Sequence, residues 1–256
     1  MARGGVARAV VAGGVLLLAG AGVAGCGASA EDDREPERRA FALQGSTLVV
    51  DSDDSALEIV AAEGHTAGEV EVTRWFKGSV VVGDEPEVTW RMAGDRLTLR
   101  MRCSGVIADC SARHRIEVPR GVAVRVEDGD GSVRARGFED ALDIRTGDGS
   151  VHVTDTSGPL RVRTGDGSVR AEVDSREVRA QTGDGSVRLE LGVVPDLVES
   201  RTGDGSVTIE VPRATYRVTT ETGDGGVDVD VPRDERSGHV VTARTGDGKV
   251  TVRTAN

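Results

Sequence analysis

Aromatic residues are nearly missing from this chain, with two Trp, one Tyr and three Phe in 256 residues. Only three Met accompany them, so an interior must be built from Val, Leu, Ala and Thr, which favours thin layers over a jigsaw of large side chains. Excess positive charge is missing too. Asp and Glu number 43 against 32 Lys and Arg, a net charge of −11. An acidic chain without stacking rings lacks both parts of a nucleic-acid surface, and no nucleic-acid partner is expected. After the first thirty residues no stretch carries a 3.6-residue apolar period, which excludes helices of ordinary length. Catalytic and metal signatures are absent as well. His65, His114, His152 and His239 have no ligand spacing and are read as surface residues, and there is no Gly-x-Ser-x-Gly elbow or phosphate-loop Lys. No catalytic residue, metal or cofactor is expected.

The N-terminal residues give an address. Arg3 and Arg8 precede an apolar run from Ala9 to Gly25 that is interrupted by glycines, the size of an export signal and marginal for a permanent span. Val23-Ala24-Gly25-Cys26 resembles the lipobox of bacterial lipoproteins. That resemblance implies a signal peptide over residues 1–25, acylation of Cys26 (a palmitate-type modification) and attachment to the outer face of the cell membrane. Free secretion is the alternative, with a cleavage site at Ala28-Ser29-Ala30. Cysteine arithmetic favours the anchor, because three Cys in an exported chain leave one over. Cys103 and Cys110 are expected to form a disulfide in an oxidising compartment, the other reading being two free thiols. Residues 26–40, with Glu31-Asp32-Asp33-Arg34-Glu35-Pro36, read as a charged tether.

One motif returns seven times from residue 128 onward, and its aspartates are Asp130, Asp148, Asp166, Asp184, Asp204, Asp224 and Asp247. Steps between the second glycines are 18, 18, 18, 20, 20 and 23 residues, a period that means a stacked array. Apolar residues alternate with polar ones on both sides of each Gly-Asp-Gly, as in Leu160/Val162/Thr164 before it and Val169/Ala171/Val173 after it. These are half-buried strands. Residues 122–256 are therefore expected to form a right-handed parallel β-solenoid of about seven coils. An antiparallel repeat β-sandwich is the alternative, since a hairpin can also turn at Gly-Asp-Gly. The glycines are expected to supply positive φ. Stacked carboxylates about 4.8 Å apart repel by about 0.9 kcal/mol per pair at bulk-water dielectric. Flanking arginines such as Arg145, Arg163 and Arg188 are expected to offset this, with calcium between coils as a rival solution.

Residues 41–121 also alternate as short strands and read as a β-rich cap over the open end of the array. Trp75-Phe76 are taken as its buried anchor. Phe41, the segment Ile116-Glu117-Val118-Pro119-Arg120-Gly121, Val124-Arg125-Val126 and the serial Gly-x-Gly-x-Val turns resemble a bacterial β-strand-repeat domain of unknown function catalogued among adhesins. Membership implies an envelope-associated protein and brings no catalytic residues. The expected function is non-catalytic: a surface lipoprotein binding or scaffolding a protein or cell-wall polymer. Two alternatives stand beside it, an envelope-stress or signalling accessory that binds a membrane partner through the cap, and a glycan-active β-helix enzyme.

Overall fold

The computed structural model describes residues 29–62 and 68–255. Cys26, the leader and His65 lie outside the described residues. A short 3-10 turn, Ala30–Asp32, precedes seven N-terminal strands. They are β1 (Glu37–Ala42), β2 (Thr47–Ser52), β3 (Ala56–Ala62), β4 (Glu69–Val80), β5 (Glu87–Ala93), β6 (Arg96–Arg102) and β7 (Ala108–Pro119). The repeats add β8 (Ala123–Asp128), β9 (Val133–Arg136), β10 (Leu142–Arg145), β11 (Val151–Thr154), β12 (Leu160–Arg163), β13 (Val169–Val173) and β14 (Glu177–Gln181). They continue as β15 (Val187–Leu191), β16 (Leu197–Arg201), β17 (Val207–Val211), β18 (Arg217–Glu221), β19 (Val227–Asp230), β20 (Val240–Arg244) and β21 (Val250–Thr254). Strand β1 begins at Glu37, inside the stretch read as tether.

Among the described residues the architecture is all-β, with parallel pairing dominant and no closed barrel. One sheet, A, has the order β1-β4-β7-β3-β9-β11-β13-β15-β17-β21-β19, and the other, B, runs β18-β20-β16-β14-β12-β10-β8-β2-β6-β5. Consecutive repeat strands lie in opposite sheets, and each pairs in parallel with the equivalent strand of the neighbouring unit, as Val169 does with Val187. Antiparallel pairs join only β1 to β4, β4 to β7 and β5 to β6 among the named strands, so the repeats do not form the antiparallel alternative. Alternation explains the core. Leu142, Ile144, Val151, Val153, Leu189 and Ile209 are buried, while Arg145, Arg163 and Arg170 between such positions face out.

Two departures from the sequence reading concern the ends. First, much of the region read as cap belongs to the stack. β2 pairs in parallel with β8, β3 with β9, β6 with β2 and β7 with β3, so β2–β3 and β6–β7 are two further units. The actual cap is the antiparallel trio β1, β4 and β5. Second, chain order is broken at the far end. The chain leaves β17, skips one slot to form β18–β19 at the edge, then returns to fill the slot with β20–β21. Tyr216 anchors that detour: it is fully buried and its hydroxyl donates to the Pro212 carbonyl at 2.7 Å. As a result the last strands are interior, with Val241, Val250 and Val252 buried, while Val227 of the edge strand is exposed. Edge strands carry Asp228 and Asp230, or Arg217 and Glu221, charges that oppose further pairing.

Trp75 and Phe76 are half-buried and do not serve as a core anchor. Arg113 lies over the Trp75 ring at 5.1 Å. Phe41 takes the buried place instead, edge-on to Trp90 with ring centroids 6.1 Å apart.

Candidate binding surface

The repeat corner is built from three side-chain and backbone devices. Each motif Thr points inward, and its hydroxyl reaches two carbonyls of the adjacent unit. Thr182 Oγ1 donates to Gly165 O at 2.9 Å and Gly167 O at 2.7 Å, and Thr202 does the same to Gly183 O and Gly185 O at 3.0 and 2.7 Å. Backbone amides run in parallel with these clamps, Gly165 to Gly147 and Gly183 to Gly165. The glycines have a different purpose from the one expected. None of the motif glycines has positive φ among the described residues. They are there because the units approach too closely for a side chain: a Cβ on Gly167 would sit 2.2 Å from Gly149 O, and one on Gly165 would sit 2.6 Å from Asp148 Oδ1.

The seven aspartates all lie exposed at this corner, one per unit. Part of their mutual repulsion is offset by the backbone. Asp130 Oδ1 accepts from the amide of Asp148, and Asp148 Oδ1 from that of Asp166, both at 3.3 Å. The column has one more member than the motif count. Asp54, in Ser52-Asp53-Asp54-Ser55, stands in the same place, and its Oδ1 lies 3.4 Å from the Asp130 amide. Serine and aspartate replace both glycines there, which hid the unit from a search for Gly-Asp-Gly. No group of three or more potential metal ligands gathers among the described residues.

Asp128 is the exception within the motif, a carboxylate where the later units have Thr. Both of its oxygens are buried without a hydrogen-bond partner, and so is the Ser52 hydroxyl beside it. Burial pushes its pKa up to about 7, aided by the charges of Asp54 and Asp130; Ser52 and the Gly131 amide lie near enough to oppose the rise but neither reaches hydrogen-bond geometry.

Sheet B presents a flat outer face on which arginines fall into register. Arg145 pairs beside Arg163, Arg161 beside Arg179, and Arg201 beside Arg244, with Gln181 between Arg163 and Arg201. Arg161, Arg163, Arg179, Arg201 and Arg244 line a groove of about 190 Å³. Arg179 is held by Glu199 at 2.8 Å and also meets Glu177, and Arg244 is held by Glu221 at 3.1 Å. Arg161, Arg163 and Arg201 enter no ion pair among the described residues. Sheet A differs. There Glu58 takes Arg113 and Arg115, Glu172 takes Arg170, and Glu210 takes both Arg188 and Arg253. Arg134 and Arg136 of sheet A are unpaired among the described residues too, but they face His152 and Thr154, whereas on sheet B the unpaired arginines stand among other arginines in direct register. The sequence showed these arginines as polar alternates, and their register across strands is what turns them into ladders.

Cys103 and Cys110 form a disulfide, with Cα atoms 6.2 Å apart, between the end of β6 and the start of β7. Cys26 falls outside the described residues, so the structure places nothing against it. His114 is not a surface residue. It is fully buried in β7 with neither ring nitrogen partnered, and desolvation first, then the charge of Arg74, lowers its pKa to about 4. His239 contacts the Pro195 carbonyl at 2.8 Å beside Tyr216.

No family model matches the sequence, and no curated protein matches it. Solved structures do. A structure described as a putative adhesin from Bacteroides fragilis NCTC 9343 aligns at 12% identity and TM-score 0.53, covering 86% of this chain and 97% of that one. A second, described as a putative adhesin from Parabacteroides merdae ATCC 43184, aligns at 13% identity and TM-score 0.46, over 87% and 97%. At these identities the likeness is one of fold, and the chain shares the two-sheet β-repeat fold of the Bacteroides structure described as a putative adhesin.

Proposed function

We propose that this chain is an exported, non-catalytic binding module held on the outer face of the cell membrane through a lipid on Cys26. In this reading its repeats wind as a right-handed parallel β-solenoid, and the outer face of sheet B takes an extended anionic wall polymer. The observation that carries the reading is the set of unmatched guanidinium groups of Arg161, Arg163 and Arg201 among further arginines on one flat face. Neighbouring strands set Arg163 beside Arg145, Arg161 beside Arg179 and Arg201 beside Arg244 at about 4.8 Å, so their repulsion is relieved by a ligand that carries regularly spaced acid groups. Affinity then comes from many weak charged contacts, each insufficient alone. The adhesin-like description of structures with this fold is consistent with surface display.

The experiment is titration of the purified chain with a polyuronate and with a polyol-phosphate polymer at increasing salt. Binding is expected to weaken steeply with salt. It should also fall about tenfold or more when Arg161, Arg163 and Arg201 are replaced together by Gln, which is about 1.4 kcal/mol in total. Excising residues 147–182, two whole units, joins Thr146 to Gly183 in register and should lower affinity by a further step. Binding that ignores salt and both variants removes the reading.

A further inference from the structure

Four of the exposed large apolar side chains of the described chain gather at one tip. Val81, Val82, Val106 and Ile107 are 69%, 61%, 80% and 63% exposed. The tip is an extension of the β4–β7 ladder past its last pair, Val80 with Ala108. Val81 N donates to Ile107 O at 2.9 Å, Val106 N donates to Val82 O at 2.8 Å, and Gly83 bridges Gly105 beyond them. In that antiparallel register Val81 and Ile107 share one face, Val82 and Val106 the other. The ribbon is therefore apolar on both sides. It is also held firmly, by the Cys103–Cys110 disulfide at its base and by the close approach of Gly105 to Val80 and Val82. A one-sided docking patch needs no apolar residues on its back. A ribbon apolar on both faces suits a medium that surrounds it.

The path of the N-terminal chain indicates which medium. β1 runs antiparallel to β4, with Glu37 opposite Arg74, and the preceding Asp33 accepts from the Phe76 amide at 3.0 Å. The turn Ala30–Asp32 then packs against both β4 and β7. Followed toward its start, the chain thus travels along β4 in the direction of the tip. From Phe76, which Asp33 meets, to Val81 is about 17 Å of extended strand, and the seven residues from Cys26 to Asp33 span at most about 24 Å, enough to bring Cys26 and Val81 to one level. We propose that the Val81-Val82/Val106-Ile107 tip inserts into the outer surface of the same lipid bilayer that anchors Cys26, so that the protein stands on two feet. This rests on the lipid-anchor reading given above. Asp84 and Glu85 beside Lys77 and Arg102 give the base of the tip no cationic excess, so insertion is driven by apolar burial and does not favour anionic headgroups.

The test is made on the full acylated chain in phosphatidylcholine vesicles whose acyl chains are brominated. Val106→Trp adds an emitter at the tip, and Thr219→Trp adds one on edge strand β18 at the other end of the stack. Added emission at position 106 should be largely quenched and shifted to the blue, with emission at 219 unchanged. Replacing part of the lipid with phosphatidylglycerol should not increase quenching. If mass analysis finds no acyl group on Cys26, the anchor reading fails and the tip proposal fails with it. An acylated chain with unquenched Trp at position 106 overturns the tip proposal alone. Dimerisation of the parent chain without lipid, abolished by changing all four tip residues to Ser, also overturns it, because a second copy then covers the tip.

Discussion

The regular units and the β6–β7 unit turn the same corner of the stack by different means. In the regular units two glycines let backbone carbonyls approach the next unit, and an inward Thr clamps both. In β6–β7 the turn is a longer loop, closed by a disulfide and carrying the apolar tip. The regular corner has a neighbour above and below, so its shape is dictated by what the next unit permits. The β6–β7 corner adjoins the cap, and freedom on that side lets it project. Constraint from both sides gives the repeat its uniform sequence, and release from one side leaves room for a specialised loop.

The strongest way to break this contrast is to add one methyl group at an interior corner and one at the edge. Gly167→Ala places a Cβ 2.2 Å from the Gly149 carbonyl oxygen, a backbone atom that cannot move alone. The expected loss is about 3 kcal/mol, at the upper end for overpacking. Gly226 in the edge unit meets nothing within 4 Å. Gly226→Ala should change stability by no more than about 0.5 kcal/mol. Urea midpoints of the two variants measure the difference, and equal losses would mean that close approach is not what selects glycine.

How far the sequence could be read follows from the same constraint. Period-two alternation predicted the buried set of the interior units residue by residue, down to Leu160/Val162 and Val187/Leu189, because each strand has one wet and one dry face. Register along the stack was legible from the even spacing. The reading failed where tertiary pairing departs from chain order. Nothing local in Val227-Asp228-Val229-Asp230 marks it as an edge, and the 23-residue step that accompanies the detour reads equally well as a longer turn. The β2–β3 unit was missed because Asp53-Asp54-Ser55 does the corner's work without glycine. The arginine ladders needed strand register before unmatched charge could be separated from paired charge, and His114 sits at an inward position that alternation alone would have marked.

A second effect, on the order of 2 kcal/mol, tests the β6–β7 side. Replacing Cys103 and Cys110 together by Ser frees a short loop, and loop entropy puts the loss near that value. The comparison predicts where it is felt. Amide exchange should rise at Val81, Val82, Val106 and Ile107, while the amides of β12 to β15, fixed by neighbours on both sides, keep their protection. Uniform acceleration through the stack would show that the corner loop supports the repeats as well as itself.

The smallest effect is also the most selective, since it asks whether the first motif is a regular corner in disguise. At pH 8 the Asp128 carboxylate is ionised, buried and unpartnered, whereas Thr146 in the next unit donates to Gly129 O and Gly131 O. Asp128→Thr restores a donor toward the equivalent Asp53 and Ser55 carbonyls. Because burial raises the Asp128 pKa from 3.8 to about 7, its contribution is fully present below pH 4 and lost as pH climbs toward 7. Solvent access at the corner limits that loss to about 1 kcal/mol, or roughly 2–4 °C in Tm for a chain of this size. The variant should therefore melt higher than the parent at pH 8 and with it at pH 4. His114, whose lowered pKa removes stability as pH falls from 6.5 toward 4, acts equally in both proteins and cancels in their difference. A gap between parent and variant that stays constant from pH 4 to pH 8 would separate the substitution from titration and leave Asp128 an ordinary surface carboxylate.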